Sequence, residues 1–173
     1  EDTGGGATNA AVTFRNLGLN VAVLSRVGDD DDGRAILDEL TERKIDTSFV
    51  VTDKRVHTGY STILLARGGE RTILVYRGAS AHFSVQEIPW HCLYTKWFYI
   101  SSLGGNEKVV RAFFSDAAKR GAKIAWNPGG GELQLGLRRL LPHLAITDVL
   151  LLNKGEALGL TRASSIPTAL KML

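Results

Sequence analysis

Short β-branched runs alternate with apolar-periodic helix patterns along most of this chain, and two longer strand-like runs interrupt that alternation once. Ala10, Phe14 and Leu17 recur at i, i+4 and i+7, predicting a helix with one buried face that stops at Gly18. Residues 21–25 predict a buried strand, and residues 34–43, with Ile36, Leu37 and Leu40 inward, a second helix. The interrupting runs, 60–65 and 72–77, are joined by Arg67-Gly68-Gly69-Glu70, whose glycines suit a hairpin turn. Alternation then resumes. Residues 97–101 predict a strand, and Asn106 caps a helix striped by Val109, Val110, Phe113, Phe114 and Ala117 that ends at Gly121. Residues 123–126 predict a strand, 127–131 a loop, 133–141 a helix and 148–152 a further strand. A mainly parallel sheet flanked by helices satisfies this order, with Val23, Phe98, Ile100, Ile124, Leu150 and Leu152 in its core. Ligands of such sheets sit beyond the C-terminal strand ends, here the loops at 101–106, 127–131 and 153–156.

With 173 residues, 44% of them hydrophobic, the chain can bury a real core, and disorder is excluded. The net charge of +3 is scattered rather than blocked, so no nucleic-acid partner is expected. The single cysteine, Cys92, excludes an internal disulfide and points to the cytoplasm, and no His or Cys spacing matches a zinc site. Apolar runs such as 149–152 are too short to cross a bilayer, and no leader is recognisable, so no membrane partner is expected. The sequence opens within a glycine turn and stops within a helix pattern formed by Ile166, Leu170 and Leu173, so both ends are expected to be cut.

Several familiar motifs fail at specific positions. Asp30, Asp32, Gly33 and Glu39 fall in register with a calcium loop, but Gly28 stands at its first ligand position and Ile36 at its ninth. Residues 28–33 are therefore expected to be a solvated acidic loop that caps a helix. Gly131 and Gly136 have the spacing of a P-loop, but Leu137 and Arg138 replace its Lys and Ser/Thr. Ser102 lacks the upstream glycine of a nucleophile elbow, and Gly104-Gly105-Asn106 is no dinucleotide fingerprint. Two features survive. Gly4, Gly5 and Gly6 place flexible backbone before a helix N-terminus, where Asn9 either offers donors and an acceptor to a hydroxylated ligand or is a structural residue after a plain glycine turn. Asn153 and Glu156 lie at i, i+3 after a buried strand, a spacing that serves either a hydrated Mg²⁺ or a reciprocal helix cap.

Taken in order, these pieces resemble the ribokinase-like (PfkB) carbohydrate kinases from Gly4 to about Leu160. The resemblance is carried by the Gly-Gly-x-x-x-Asn-x-Ala opening at Gly4 to Ala11 and by LGLNVAVLSRVGDDDDGRAILDEL from Leu17 to Leu40. Thr58-Gly59, the Arg77-Gly78-Ala79-Ser80 hairpin exit and Asn153-x-x-Glu156 complete it. It implies a three-layer α/β/α kinase domain with a mainly parallel sheet and a small β lid at about 58–77. Residues 1–173 would be only part of that domain, its N-terminal strand and C-terminal ATP-binding half missing. By the same resemblance Gly5, Gly6 and Asn9 contact the sugar, with Tyr76 and Arg77 at the lid exit. Arg77 either meets an acidic sugar or is an exposed edge arginine. Asn127 and Asn153 fall on the phosphate side, and Glu156 on Mg²⁺.

The activity implied is transfer of the ATP γ-phosphoryl group to a sugar or nucleoside hydroxyl, with ATP and Mg²⁺ as cofactors, and the lid leaves room for a homodimer. The family's Gly-Ala-Gly-Asp stretch, whose aspartate is the general base, is absent from these residues, so the chain alone is expected to be inactive. A sugar- or nucleoside-binding module of the same fold without chemistry is the alternative, and an unrelated doubly wound nucleotide-binding protein a more distant one.

Overall fold

The computed structural model describes residues 3–173 and divides into two compact units, Glu1–Ile88 and Pro89–Leu173. The first unit opens on helix α1 (Gly6–Asn16), followed by strand β1 (Ser25–Gly28), helix α2 (Asp31–Glu42) and strand β2 (Val50–Asp53). β1 and β2 pair in parallel, with Ser25 opposite Val50 and Gly28 opposite Asp53. Ala11, Val23, Leu40 and Ile45 form the buried cluster against which Val12, Val21, Ile36 and Val50 pack. The strand expected at 21–25 therefore starts later. Val21 to Val23 do follow the track of residue 46, with Val23 N–H donating to the Asp46 carbonyl at 2.9 Å, but only the Ala22–Asp46 bridge forms there. Burial of Val23, rather than a continuous ladder, is what the β-branched run encodes.

Strands β3 (Tyr60–Leu65) and β4 (Arg71–Tyr76) form the expected antiparallel hairpin, in register from Tyr60 opposite Tyr76 to Leu65 opposite Arg71. They make a separate two-stranded sheet, and every residue in both strands is exposed. The hairpin ends in a tight crossing. A Cβ on Gly59 would lie 2.4 Å from the Arg77 carbonyl oxygen, and one on Gly78 would lie 2.3 Å from that of His57. Glycine is required at both positions because backbone approaches backbone there.

The second unit holds strand β5 (Trp97–Ile100), helix α3 (Glu107–Arg120), strand β6 (Lys123–Trp126), helices α4 (Gly130–Gln134) and α5 (Leu137–Leu144), strand β7 (Val149–Leu150), and helices α6 (Lys154–Thr161) and α7 (Ile166–Met172). β5, β6 and β7 form a parallel sheet in that order. The α3 stripe is buried as its periodicity predicts, Asn106 caps the helix by accepting from the Val109 amide, and Gly121 ends it at φ +66°. Phe114 packs edge-on against Trp126 with ring centroids 4.9 Å apart. The helix expected at 133–141 is instead two, broken at Gly136 with φ +81°. Of the expected core, Val23, Ile100 and Ile124 are buried, whereas Phe98, Leu150 and Leu152 are half-buried.

Candidate functional site

The parallel sheet of the second unit sends three chain segments past its C-terminal edge, after Ile100, Trp126 and Leu150. Asn127 is held between two of them. Its N–H donates to the Ile100 carbonyl at 2.8 Å, and its side-chain Nδ2 donates to the Leu151 carbonyl at 2.9 Å. Asn153 and Glu156 form the reciprocal cap of α6, with Asn153 Oδ1 accepting from the Glu156 N–H at 2.9 Å and Glu156 Oε2 from the Asn153 N–H at 2.8 Å. Of the two uses their spacing allowed, the cap is the one seen. It engages one oxygen of each side chain, so it fixes their direction without consuming the Glu156 carboxylate.

Sequence reasoning missed Glu132. This carboxylate is completely buried, accepting from the N–H groups of Leu103 (2.9 Å) and Gly105 (2.7 Å) through Oε1 and of Gly129 (2.8 Å) through Oε2. It ties the segment after β5 to the segment after β6. The available signal was its place three residues beyond Gly129, in a stretch whose glycines leave amides unshielded.

In the first unit, α1 begins one residue after Gly5, whose φ of +108° only glycine adopts readily. Among the described residues no side chain caps this helix, so its first-turn N–H groups keep their donor capacity, and Asn9 stands exposed one turn in. Tyr76 and Arg77 lie at the other end of the unit's chain, where the hairpin returns. Tyr76 faces Tyr60 across the ladder, ring centroids 5.3 Å apart, and both rings are exposed. Tyr60 was not singled out in the sequence because only the strand register reveals the pairing. Arg77 is exposed and makes no ion pair among the described residues. No hydrogen bond joins Asn9 to Tyr76 or Arg77 among the described residues.

The acidic loop has the capping role expected of it. Asp30 Oδ1 accepts from the Gly33 N–H at 2.9 Å. The same carboxylate also accepts from the Thr58 hydroxyl and amide, which holds it well below the usual carboxylate range; the hydroxyl has the largest effect and burial opposes it. An open groove of about 410 Å³ lies between the α4–α5 break and the end of α6, lined in part by Arg138 and Arg162, but no sequence-predicted site residue borders it.

The family model for "pfkB family carbohydrate kinase" matches residues 1–173, the whole chain. This chain belongs to the pfkB family of carbohydrate kinases. The aminoimidazole riboside kinase of Salmonella typhimurium is 31% identical over 68% of the chain and 37% of its own length. The ribokinase of Haemophilus influenzae is 29% identical over 91% of the chain and 51% of its own length. A putative ribokinase II from E. coli, solved with ATP and Mg²⁺, superimposes with a TM-score of 0.79 at 21% identity, over 95% of this chain and 56% of that one. The chain thus spans about half the length of the curated relatives it matches. Its fold is ribokinase-like, with parallel sheets in both units and a separate two-stranded hairpin in the first. Among the described residues no helix is long and apolar enough to cross a membrane. No cluster of three His, Cys, Asp or Glu side chains among them could enclose a metal. Glu156 offers one carboxylate with one oxygen outside the cap, a donor set that would suit a largely hydrated Mg²⁺ rather than an ion enclosed by protein ligands.

Proposed function

We propose that residues 1–173 are part of a kinase domain that transfers the ATP γ-phosphoryl group to a sugar or nucleoside hydroxyl, and that they supply the acceptor side and part of the phosphate side. The observation that carries this reading is the start of α1: a glycine entry at φ +108°, a helix N-terminus without a side-chain cap, and an exposed Asn9. Backbone N–H groups and a carboxamide at a helix start suit a dense array of hydroxyls.

In this reading Gly5, Gly6 and Asn9 orient the acceptor, and the hairpin covers it as a lid spanning about residues 58–77. Tyr76, with Tyr60 beside it, presents a flat aromatic surface to a sugar or base face. Arg77 serves an acidic acceptor if the substrate is one. Asn127 and Asn153 bind on the phosphate side, and Glu156 holds Mg²⁺ through its waters. The ion, when bound with ATP, neutralises phosphate charge. The chain's own residues contribute positioning, since none of them is assigned as general base. The exposed apolar hairpin is the surface through which two copies pair.

Calorimetric titration of the chain with ribose, fructose, a 2-keto-3-deoxy acid and adenosine tests the acceptor side. Saturable binding of one of them should weaken about five- to tenfold in Asn9→Ala, equivalent to a lost hydroxyl contact of roughly 1 kcal/mol, with Tm unchanged. Binding indifferent to Asn9, or binding of none of the four, would sink the assignment. A Gly-Ala-Gly-Asp stretch encoded downstream of Leu173 would favour the kinase over a binding module without chemistry.

A further inference from the structure

We propose that Glu132 is the positioning residue of the phosphate-side loops, fixing the segments after β5 and β6 in one arrangement before any ligand arrives. This rests on reading Asn127 as a phosphate-side residue. Glu132 is 0% exposed, and no Lys, Arg or His forms an ion pair with it among the described residues. A buried carboxylate without a counter-ion is costly unless dipoles replace its water. Here the replacement is three N–H groups, from Leu103, Gly105 and Gly129, with the Ser102 hydroxyl more distant at 3.3 Å. Leu103 and Gly105 stand 29 and 27 residues from Glu132 in sequence, so the carboxylate bridges two separate loops.

Packing makes the bridge rigid. A Cβ on Gly129 would lie 2.3 Å from Ser102 Oγ, and one on Gly131 would lie 2.7 Å from the Gly104 carbonyl carbon. At Gly131 the two loops therefore meet backbone to backbone, and at Gly129 the chain packs against the Ser102 side chain, so neither position has room for a Cβ. The arrangement reaches Asn127 through Pro128, which is fully buried, to the residue whose amide and side chain span the ends of β5 and β7. Gln at position 132 would turn one NH₂ toward N–H donors and lose the charge that orders them. An apolar side chain or an amide elsewhere could hold two loops at lower cost. A buried carboxylate without a counter-ion, held by amides at the C-terminal edge of a parallel sheet, is the local conflict that preorganised sites show.

The test uses the ¹⁵N-labelled 173-residue chain, Glu132→Gln and Asn127→Ala, with Mg²⁺ plus inorganic tripolyphosphate as the phosphate probe and ribose as the acceptor probe. In the wild-type chain the Leu103, Gly105 and Gly129 amides should already resist hydrogen exchange without a probe. Glu132→Gln should weaken tripolyphosphate binding at least tenfold while leaving ribose binding within twofold. Protection that appears only with the probe overturns the proposal, and that measurement stands even if Glu132→Gln does not fold. Tripolyphosphate binding lost in Asn127→Ala but kept in Glu132→Gln overturns the Glu132 role alone. Binding unchanged in Asn127→Ala, or no wild-type response to tripolyphosphate, overturns the phosphate-side reading and the proposal with it. A joint loss of ribose and tripolyphosphate binding that follows a fall in Tm would show Glu132 to be only a brace, and would also overturn it.

Discussion

Asp30 and Thr58 are joined twice: the Thr58 hydroxyl donates to Asp30 Oδ1 at 2.6 Å, and the Thr58 amide donates to Asp30 Oδ2 at 2.8 Å. The same hydroxyl accepts from the Gly28 amide at 2.8 Å, so one side chain ties the end of β1, the cap of α2 and the start of the hairpin. Gly33 is confined by this knot, since a Cβ there would lie 2.2 Å from the Gly28 carbonyl oxygen.

Thr58→Ala should therefore destabilise the first unit by about 2 kcal/mol, because Thr58 is 3% exposed and its loss takes the acceptor from the Gly28 amide and leaves Asp30 Oδ1 with the Gly33 amide alone. Thr58→Ser should cost much less. Urea denaturation of the two variants checks this, and equal losses in both would show that the methyl group, not the hydroxyl, matters.

The same knot predicts an acid limb of stability. The Thr58 hydroxyl, chiefly, and its amide hold Asp30 well below the usual carboxylate range, with smaller help from the Gly33 amide and His57. Asp30 is thus ionised in the folded protein at pH values where the unfolded chain would bind a proton. Its contribution is complete above the unfolded value of about 4 and is lost as pH falls from there toward the folded pKa. Asp53, lowered by the Arg55 amide and then by Arg26, acts in the same direction. Denaturation midpoints at pH 7, 5, 4 and 3 should show Asp30→Asn well below wild type at neutral pH and approaching it below pH 4. A gap that does not narrow would remove Asp30 ionisation as the cause.

These features differ in how far the sequence exposed them. The hairpin and the α3 stripe were legible because alternation and 3.6-residue periodicity encode burial directly, as at Val109, Val110, Phe113, Phe114 and Ala117. β2 was not. Val50 to Asp53 is a run of four with no flanking pattern, and it is defined by its partner Ser25 to Gly28, 25 residues earlier. The Asn153–Glu156 spacing was legible but ambiguous, since a capping box and an ion-binding pair use the same i, i+3 geometry. Glu132 was hidden for a different reason. A glutamate in a polar, glycine-rich stretch reads as solvated, and only the approach of Leu103 and Gly105 from another segment buries it.

Hairpin self-association is open to a direct test. On the face shared by Ser61, Ile63, Leu65, Arg71, Ile73 and Val75, the register places Ile63 directly opposite Ile73, and both are exposed. An apolar cross-strand pair left in water favours pairing with a second copy. Sedimentation equilibrium should show a concentration-dependent dimer that Ile73→Lys weakens at least tenfold without altering the Tm of the monomer. A wild-type chain that stays monomeric to high concentration would rule out the hairpin as a self-association surface.

Sugar kinase turnover is expected to be unmeasurable for the 173-residue chain assayed as it stands, even where sugar binding is retained. Phosphoryl transfer needs a group to take the acceptor proton and donors aimed at the charge that builds on the transferring phosphoryl group. Neither is assigned within these residues. Asn153 and Glu156 are engaged in capping α6, and in the proposed reading their task is to place a hydrated ion. Asp30 is committed to Gly33 and Thr58, and its lowered pKa makes it a poor base. Glu132 is buried and saturated by amides. Each missing element should cost ~10² to 10³ or more in rate, so together they bring turnover to background. ATP consumption measured across sugars and nucleosides checks this. Activity that copurifies with the chain and vanishes in Glu156→Gln would place the general base among residues 1–173 after all, and would require reassigning Asn127, Asn153 and Glu156 from positioning to chemistry.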